Sequence, residues 1–229
     1  MYFTGYIVLA ASGMLFALIA CVYMNMYEVR KYKLADKPTL KNIFVPVSIK
    51  RKIYEIFGVC ALVGMGVEMR FFFPTDSYVH QIKMQFLISV LFALAFIDYR
   101  YKIVPNKVIL VCLVARIPFL ICEFIFEKSI FFEILKSMGI GVLVFGIFLF
   151  VCTLITRGGI GMGDIKLFVV MVIFQGFTNC LVSVFVSMII CFVASIILIA
   201  LKIKKIKDTL PLVPSILAGT FISVAMTGM

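Results

Sequence analysis

Long uninterrupted runs of apolar residues constrain this chain most, because each run approaches the length that crosses a lipid bilayer. A soluble core helix rarely has more than about 14 such residues, whereas a membrane-spanning helix needs about 20. Hydrophobic residues make up 64% of the 229 residues and charged residues only 14%, well below the roughly 25% charged residues of a soluble domain. The predicted fold class is therefore all-α, a polytopic transmembrane helical bundle.

Apolar runs separated by polar breaks predict eight spans. They cover residues 1–27, 54–73, 80–97, 104–126, 131–156, 165–177, 179–202 and 210–228. The sixth run, IKLFVVMVIFQGF, is too short to cross upright and is predicted to form a half-helix or a thinned crossing. No internal repeat is visible, so residues 1–229 are interpreted as a single membrane-embedded domain with a basic cytoplasmic loop at 28–53.

The net charge of +11 is explained by membrane topology. Four alternate loops hold eight, three, two and four basic residues, which makes 17 of the 22 lysines and arginines. Because loops rich in Lys and Arg face the cytoplasm, these loops are expected there and the N-terminus outside. No nucleic-acid-binding motif accompanies the charge, so no nucleic-acid partner is predicted.

Two acidic residues lie at the ends of predicted spans on that same side. Asp98 closes the third span in LAFIDYRYKIVPNKV, and Asp164 opens the sixth in TRGGIGMGDIKLF. A carboxylate at the membrane edge is costly and indicates a functional site. Taken singly, Asp98 could be a solvated loop residue and Asp164 a helix N-cap, but their shared depth favours a common role.

Two carboxylates that share one proton can hydrolyse a peptide bond, since one activates water while the other protonates the carbonyl oxygen or the leaving amine. Helix dipoles disfavour negative charge at Asp98 and favour it at Asp164, which predicts that Asp98 holds the proton and Asp164 is the base. A serine or cysteine protease would need a histidine base, and the only histidine, His80, lies on the opposite predicted side.

Four glycines, Gly158, Gly159, Gly161 and Gly163, precede Asp164. They are predicted to allow positive φ angles and the close approach of an extended substrate, or simply to form a flexible loop.

Lys166 follows Asp164 by two positions, so on a helix it points away from the carboxylate and is predicted to reach lipid headgroups. Two prolines are predicted either to unwind the entry to the last span and expose backbone groups there, or to mark a plain helix start. The residues assigned to substrate binding or loop support are Gly161, Gly163, Lys166, Pro211 and Pro214.

Arg116 lies near the middle of the fourth span, where a charge needs a partner. Glu123 is on the same helical face and is a possible partner, although seven residues is too far for direct contact on a straight helix. Pro118, between them, is predicted to kink the span. Arg116 could bring neighbouring groups to the site, or it could have a purely structural role and extend to the membrane interface. The structural role is favoured.

The sequence contains no recognisable set of residues that would bind a metal ion or a cofactor. The seven cysteines all lie in apolar stretches without a CxxC pair, and there is one histidine. Structural zinc needs closely spaced thiolates or imidazoles. We therefore predict no metal, no disulfide and no cofactor.

Three segments resemble the type IV prepilin peptidases. IDYRYKIVPNKV is similar to the family's first-aspartate segment, GMGDIKL to its GxGD segment, and PLVPSILAG to the proline motif of its last span. They occur in the family's order over roughly residues 90–220. The resemblance implies a GxGD intramembrane-type aspartic peptidase in which Asp98 and Asp164 correspond to the catalytic pair.

The resemblance also implies a substrate. The family removes the short basic leader from type IV pilin-like precursors, after a glycine and before a hydrophobic helix, at the cytoplasmic face of the cell membrane. Bifunctional members methylate the new N-terminus with an insertion that carries paired cysteines after the first span. That connection is short here and has no cysteine, which implies the short form without methyltransferase. The implied partners are a prepilin-like precursor and membrane lipid, and no oligomeric state is implied.

Two other classes stay open. A small transporter or channel would use Asp98 and Asp164 as ion or proton ligands, although no matching half-sequences indicate an inverted repeat. A peptidase-like assembly scaffold would bind its partners without turnover.

Overall fold

The computed structural model describes residues 2–32, 49–155, 161–203 and 210–228. Within these ranges the chain forms eight α-helices and no strand, which confirms the all-α prediction. In chain order they are α1 (Tyr2–Tyr32), α2 (Ile49–Phe72), α3 (Tyr78–Tyr101), α4 (Asn106–Phe126), α5 (Phe131–Ile155), α6 (Met162–Gln175), α7 (Phe177–Ala200) and α8 (Val213–Thr227).

Five helices of the described part are long and apolar enough to cross a membrane, namely α1, α3, α4, α5 and α7. Helix α2 has 24 residues but carries charged side chains near both ends. Helices α6 and α8 have 14 and 15 residues, or roughly 21–22 Å at 1.5 Å per residue. The chain is therefore a multi-pass membrane protein, and α6 and α8 are shorter than the roughly 20 residues that an upright crossing needs.

The predicted basic loop at 28–53 is shorter than expected. Helix α1 continues to Tyr32 and α2 begins at Ile49, because Lys, Arg and Glu are good helix formers and extend both helices beyond their apolar parts. Residues 33–48 of that predicted loop lie outside the described residues.

Backbone contacts divide the chain into two compact units, residues 1–97 with Gly228 and residues 98–227 with Met229. In the first unit α1 packs closely along α2. A Cβ added at Gly13 would lie 2.6 Å from the Leu62 carbonyl oxygen, so the two backbones touch where a side chain is missing. The single-domain interpretation stays a prediction.

The second unit is organised around α6. Half of its residues are buried, as expected for a helix that is apolar all round. Gly176, with φ of 77°, turns the chain from α6 into α7. The corner rests on α5, where the Phe177 N–H donates to Ser137 Oγ at 3.0 Å. Gly141 of α5 leaves room for Phe177, whose Cα would be 3.2 Å from an added Cβ.

Candidate active site

Asp98 lies in the last turn of α3 and is only 7% exposed. The solvated-loop interpretation is therefore wrong, because the helix continues to Tyr101 and keeps the carboxylate inside the protein. The Val213 backbone N–H donates to Asp98 Oδ2 at 3.0 Å. Two residues that are 115 positions apart thus meet at the first carboxylate.

The proline motif explains why the Val213 N–H can donate to Asp98. Val213 is the first residue of α8, so its N–H has no acceptor within the helix. Pro214 follows in the first turn, where a missing N–H costs nothing and the fixed φ favours a helix start. Pro211 lies just before the helix. The motif marks a regular helix start, which was the second alternative for the two prolines, and its first backbone N–H is directed at Asp98.

Asp164 is the third residue of α6 and is half-buried. Gly161 is the N-cap, so the N-cap interpretation of Asp164 is wrong; the helix begins earlier than the predicted span. Asp98 and Asp164 both belong to the second unit, although 66 positions separate them in the sequence. The α3–α4 connection that follows Asp98 contacts the start of α6, which holds Asp164.

One contact bears on the division of roles between the two aspartates. The hydrogen bond from the Val213 N–H stabilises the ionised form of Asp98, whereas the dipole of α3 disfavours a negative charge at its C-terminal end. The hydrogen bond therefore favours Asp98 as the base, opposite to the helix-dipole argument, and the division of roles stays a prediction.

The glycines beside Asp164 are arranged differently from the prediction. Gly161 has φ of −64° and ψ of 132°, and Gly163 does not have a positive φ either. A Cβ at Gly163 would lie 3.0 Å from Val104 Cβ, so the segment that approaches is the chain's own α3–α4 connection. Gly158 and Gly159 lie outside the described residues.

Lys166 is tied to the same connection. Its Nζ donates to Asn106 Oδ1 at 3.0 Å in an exposed hydrogen bond, and its reach to lipid headgroups stays a prediction. The helical-face argument considered Asp164 alone and missed Asn106, the first residue of α4. That residue was within reach of sequence reasoning, because it lies in the IVPNKV segment after Asp98.

Arg116 and Glu123 form a buried ion pair, with 2.7 Å between Nη2 and Oε2 and side-chain exposures of 3% and 1%. Arg116 Nε also donates to the Ile173 carbonyl of α6 at 3.0 Å. The prediction that seven residues is too far for contact is wrong, because two long side chains extend toward each other along α4. Burial also rules out extension to the interface, and the structural role of Arg116 is supported.

Comparison with known proteins places these residues in context. Residues 85–196 match the model of the type IV leader peptidase family, a segment that includes both aspartates. No curated protein and no solved structure gave a match. The match supports a peptidase, a class of hydrolase, and agrees with the motif resemblance. The match covers 112 of the 229 residues, and over residues 85–196 this chain is similar to the type IV leader peptidase family.

Proposed function

We propose that this protein is a membrane aspartic endopeptidase that removes the basic leader from type IV prepilin-like precursors, with Asp98 and Asp164 as its catalytic pair. The observation that carries the proposal is that the α3–α4 connection after Asp98 contacts the start of α6, which holds Asp164, together with the N–H of the proline motif at Asp98. A structural aspartate at a helix end would need neither a second carboxylate nor a dedicated donor.

The geometry supports the following reaction. The Asp98 carboxylate takes a proton from a water molecule, whose oxygen then attacks the scissile carbonyl carbon. Protonated Asp164 gives its proton to the carbonyl oxygen, and a tetrahedral diol forms. Asp164 then recovers a proton from one diol hydroxyl, Asp98 delivers its proton to the amide nitrogen, and the C–N bond breaks. The pair ends in its starting protonation state, ready for the next turnover.

Other parts of the proposal come from the sequence. The basic loops put the aspartates at the cytoplasmic face, where a leader peptide would be reached. Gly161 is exposed and extended, so an extended substrate can lie along it beside Asp164. Lys166, Pro211 and Pro214 support the loops that flank the pair.

The test is cleavage of a candidate prepilin-like precursor by purified protein in lipid vesicles. We expect the native chain to release the leader, and Asp98→Asn, Asp164→Asn and the double variant to lose activity equally, because groups that act as a unit are strongly non-additive. The control Asp76→Asn makes the same change in the α2–α3 connection and should keep full activity.

Two results would contradict the proposal. Absence of cleavage by the native chain would favour a transporter, a channel or a scaffold. Loss of activity in only one of the two aspartate variants would mean that the other carboxylate is not part of the pair.

A further inference from the structure

A groove of about 480 Å³ lies on the second unit between α4, α5 and α6. Its walls are apolar and open outward, with Leu113 and Ile117 of α4 and Leu143 of α5 between 39% and 65% exposed. Gly139 of α5 forms part of the opposite wall, and a Cβ added there would meet nothing within 4 Å. The groove therefore has room for one face of another apolar helix.

One polar group, Arg116, lines this groove. The residue is 2% exposed, and its Nη1 is buried without a hydrogen-bond partner among the described residues. Its other nitrogens are engaged by Glu123 and by the Ile173 carbonyl. Because Glu123 already balances the guanidinium charge, the missing partner is a neutral acceptor. An unpaired donor at membrane depth is costly, so an acceptor here would be strongly favoured.

The depth of Arg116 limits where that acceptor comes from. Arg116 is the eleventh of 21 residues in α4, which places it about 15 Å from either end of the helix. The hydrocarbon core is about 30 Å thick, and the ester and phosphate oxygens of lipids lie at its edges. The acceptor must therefore belong to a protein helix that crosses the membrane.

We propose that this groove binds the hydrophobic helix of the precursor and that Arg116 Nη1 donates a hydrogen bond to a neutral polar side chain on it. The inference rests on the proposed function. Ile173 is nine residues after Asp164 on α6, or roughly 13.5 Å along the helix axis. A precursor helix that starts at the scissile bond and runs beside α6 therefore presents its Asn, Gln, Ser or Thr about nine residues after that bond.

The first experiment fills the groove. Gly139→Leu adds a side chain into open space, so the fold is preserved while the volume is taken. Gly146→Leu is the matched control, because it makes the same change on α5, also where nothing lies within 4 Å, and it does not line the groove. Each variant is assayed with the full precursor and with a short peptide that contains the leader and scissile bond but lacks the membrane helix.

We expect Gly139→Leu to lower kcat/KM for the full precursor by about tenfold, as for an overpacked contact, and to leave the short peptide unaffected. Gly146→Leu should change neither. Equal loss with both substrates, or no loss with the full precursor, would overturn the proposal.

The second experiment moves the acceptor. Single Asn residues are placed at successive positions of an otherwise apolar precursor helix, and kcat/KM is measured for each. A maximum about nine residues after the scissile bond, about threefold to tenfold above the other positions, is expected. A flat series would exclude the hydrogen bond.

Photo-crosslinking from a reactive residue at Leu143 identifies the occupant. An adduct with the precursor supports the inference, whereas an adduct only with lipid or with a second copy of the chain overturns it. The proposed function fails separately, because it requires cleavage by the native chain, whereas the groove is tested by differences between Gly139→Leu and Gly146→Leu.

Discussion

Replacing Arg116 and Glu123 singly and together tests the buried ion pair of α4. Both side chains are at least 97% buried and their charged atoms are 2.7 Å apart. Arg116→Met leaves the Glu123 carboxylate buried and unpaired, and Glu123→Leu does the same to the guanidinium. Each single change should lower the free energy of unfolding by about 3–5 kcal/mol. Arg116→Met should cost about 1 kcal/mol more, since the Ile173 carbonyl also loses its donor.

The double variant should be more stable than either single variant. With both charges gone, Met and Leu fill similar volumes, and only the hydrogen bond to Ile173 is lost. Its destabilisation should therefore be about 1 kcal/mol, far below the sum of the single effects. Lys136→Met, at an exposed position of α5, is the control and should change stability by less than about 0.5 kcal/mol.

Thiol labelling in detergent provides the assay. Cys112 of α4 and Cys180 of α7 are buried, so they react only when the second unit opens, and mass spectrometry reports each rate against denaturant concentration. A double variant as unstable as the sum of the two single variants would refute the ion pair. A double variant close to the native chain would support it.

Two further predictions concern the proposed site. Lys166→Ala and Asn106→Ala each remove an exposed contact worth about 0.2–1 kcal/mol, so the cleavage activity of each variant should fall less than tenfold. The double variant should have the same activity as the single variants, because all three lack the same contact. Complete loss of activity in Lys166→Ala would make Lys166 catalytic. Chelators should leave cleavage intact, and incubation with a methyl donor should leave the cleaved product unmethylated. Metal-dependent turnover would contradict the first expectation. A methylated N-terminus made by the purified chain would contradict the second.

The helices could be predicted because the bilayer makes their length and apolarity nearly obligatory. The sixth run illustrates this: it was too short for an upright crossing, and α6 has 14 residues. The ends of α1 and α2 could not be placed, since charged helix formers continue a helix without an apolar signal. Asp98 and Asp164 stood out for the same reason as the helices, because a charge at the membrane edge is costly.

The contacts of the site were less accessible to sequence reasoning. The donor at Asp98 is a backbone N–H of Val213, and no side-chain pattern reveals it. The same donor opposes the helix dipole at Asp98, and helix ends alone do not reveal it. Glu123 could be named as a possible partner of Arg116, but its direct contact could not be predicted, because helix geometry gives the separation of the backbones, about 10.5 Å for seven residues, and not the reach of two long side chains.

The corner at Gly176 has a consequence for the biogenesis of the protein. Helix α6 has 14 residues with Asp164 and Lys166 in its first turns, so it is a weak signal for the insertion machinery, which recognises about 20 apolar residues. Its end is held by Ser137 and Gly141 of α5, which are synthesised before it. The strongly apolar α7 follows directly after the corner. We therefore expect α6 to enter the bilayer together with α7 as a hairpin, and the proposed site to form only after α7 has been translated.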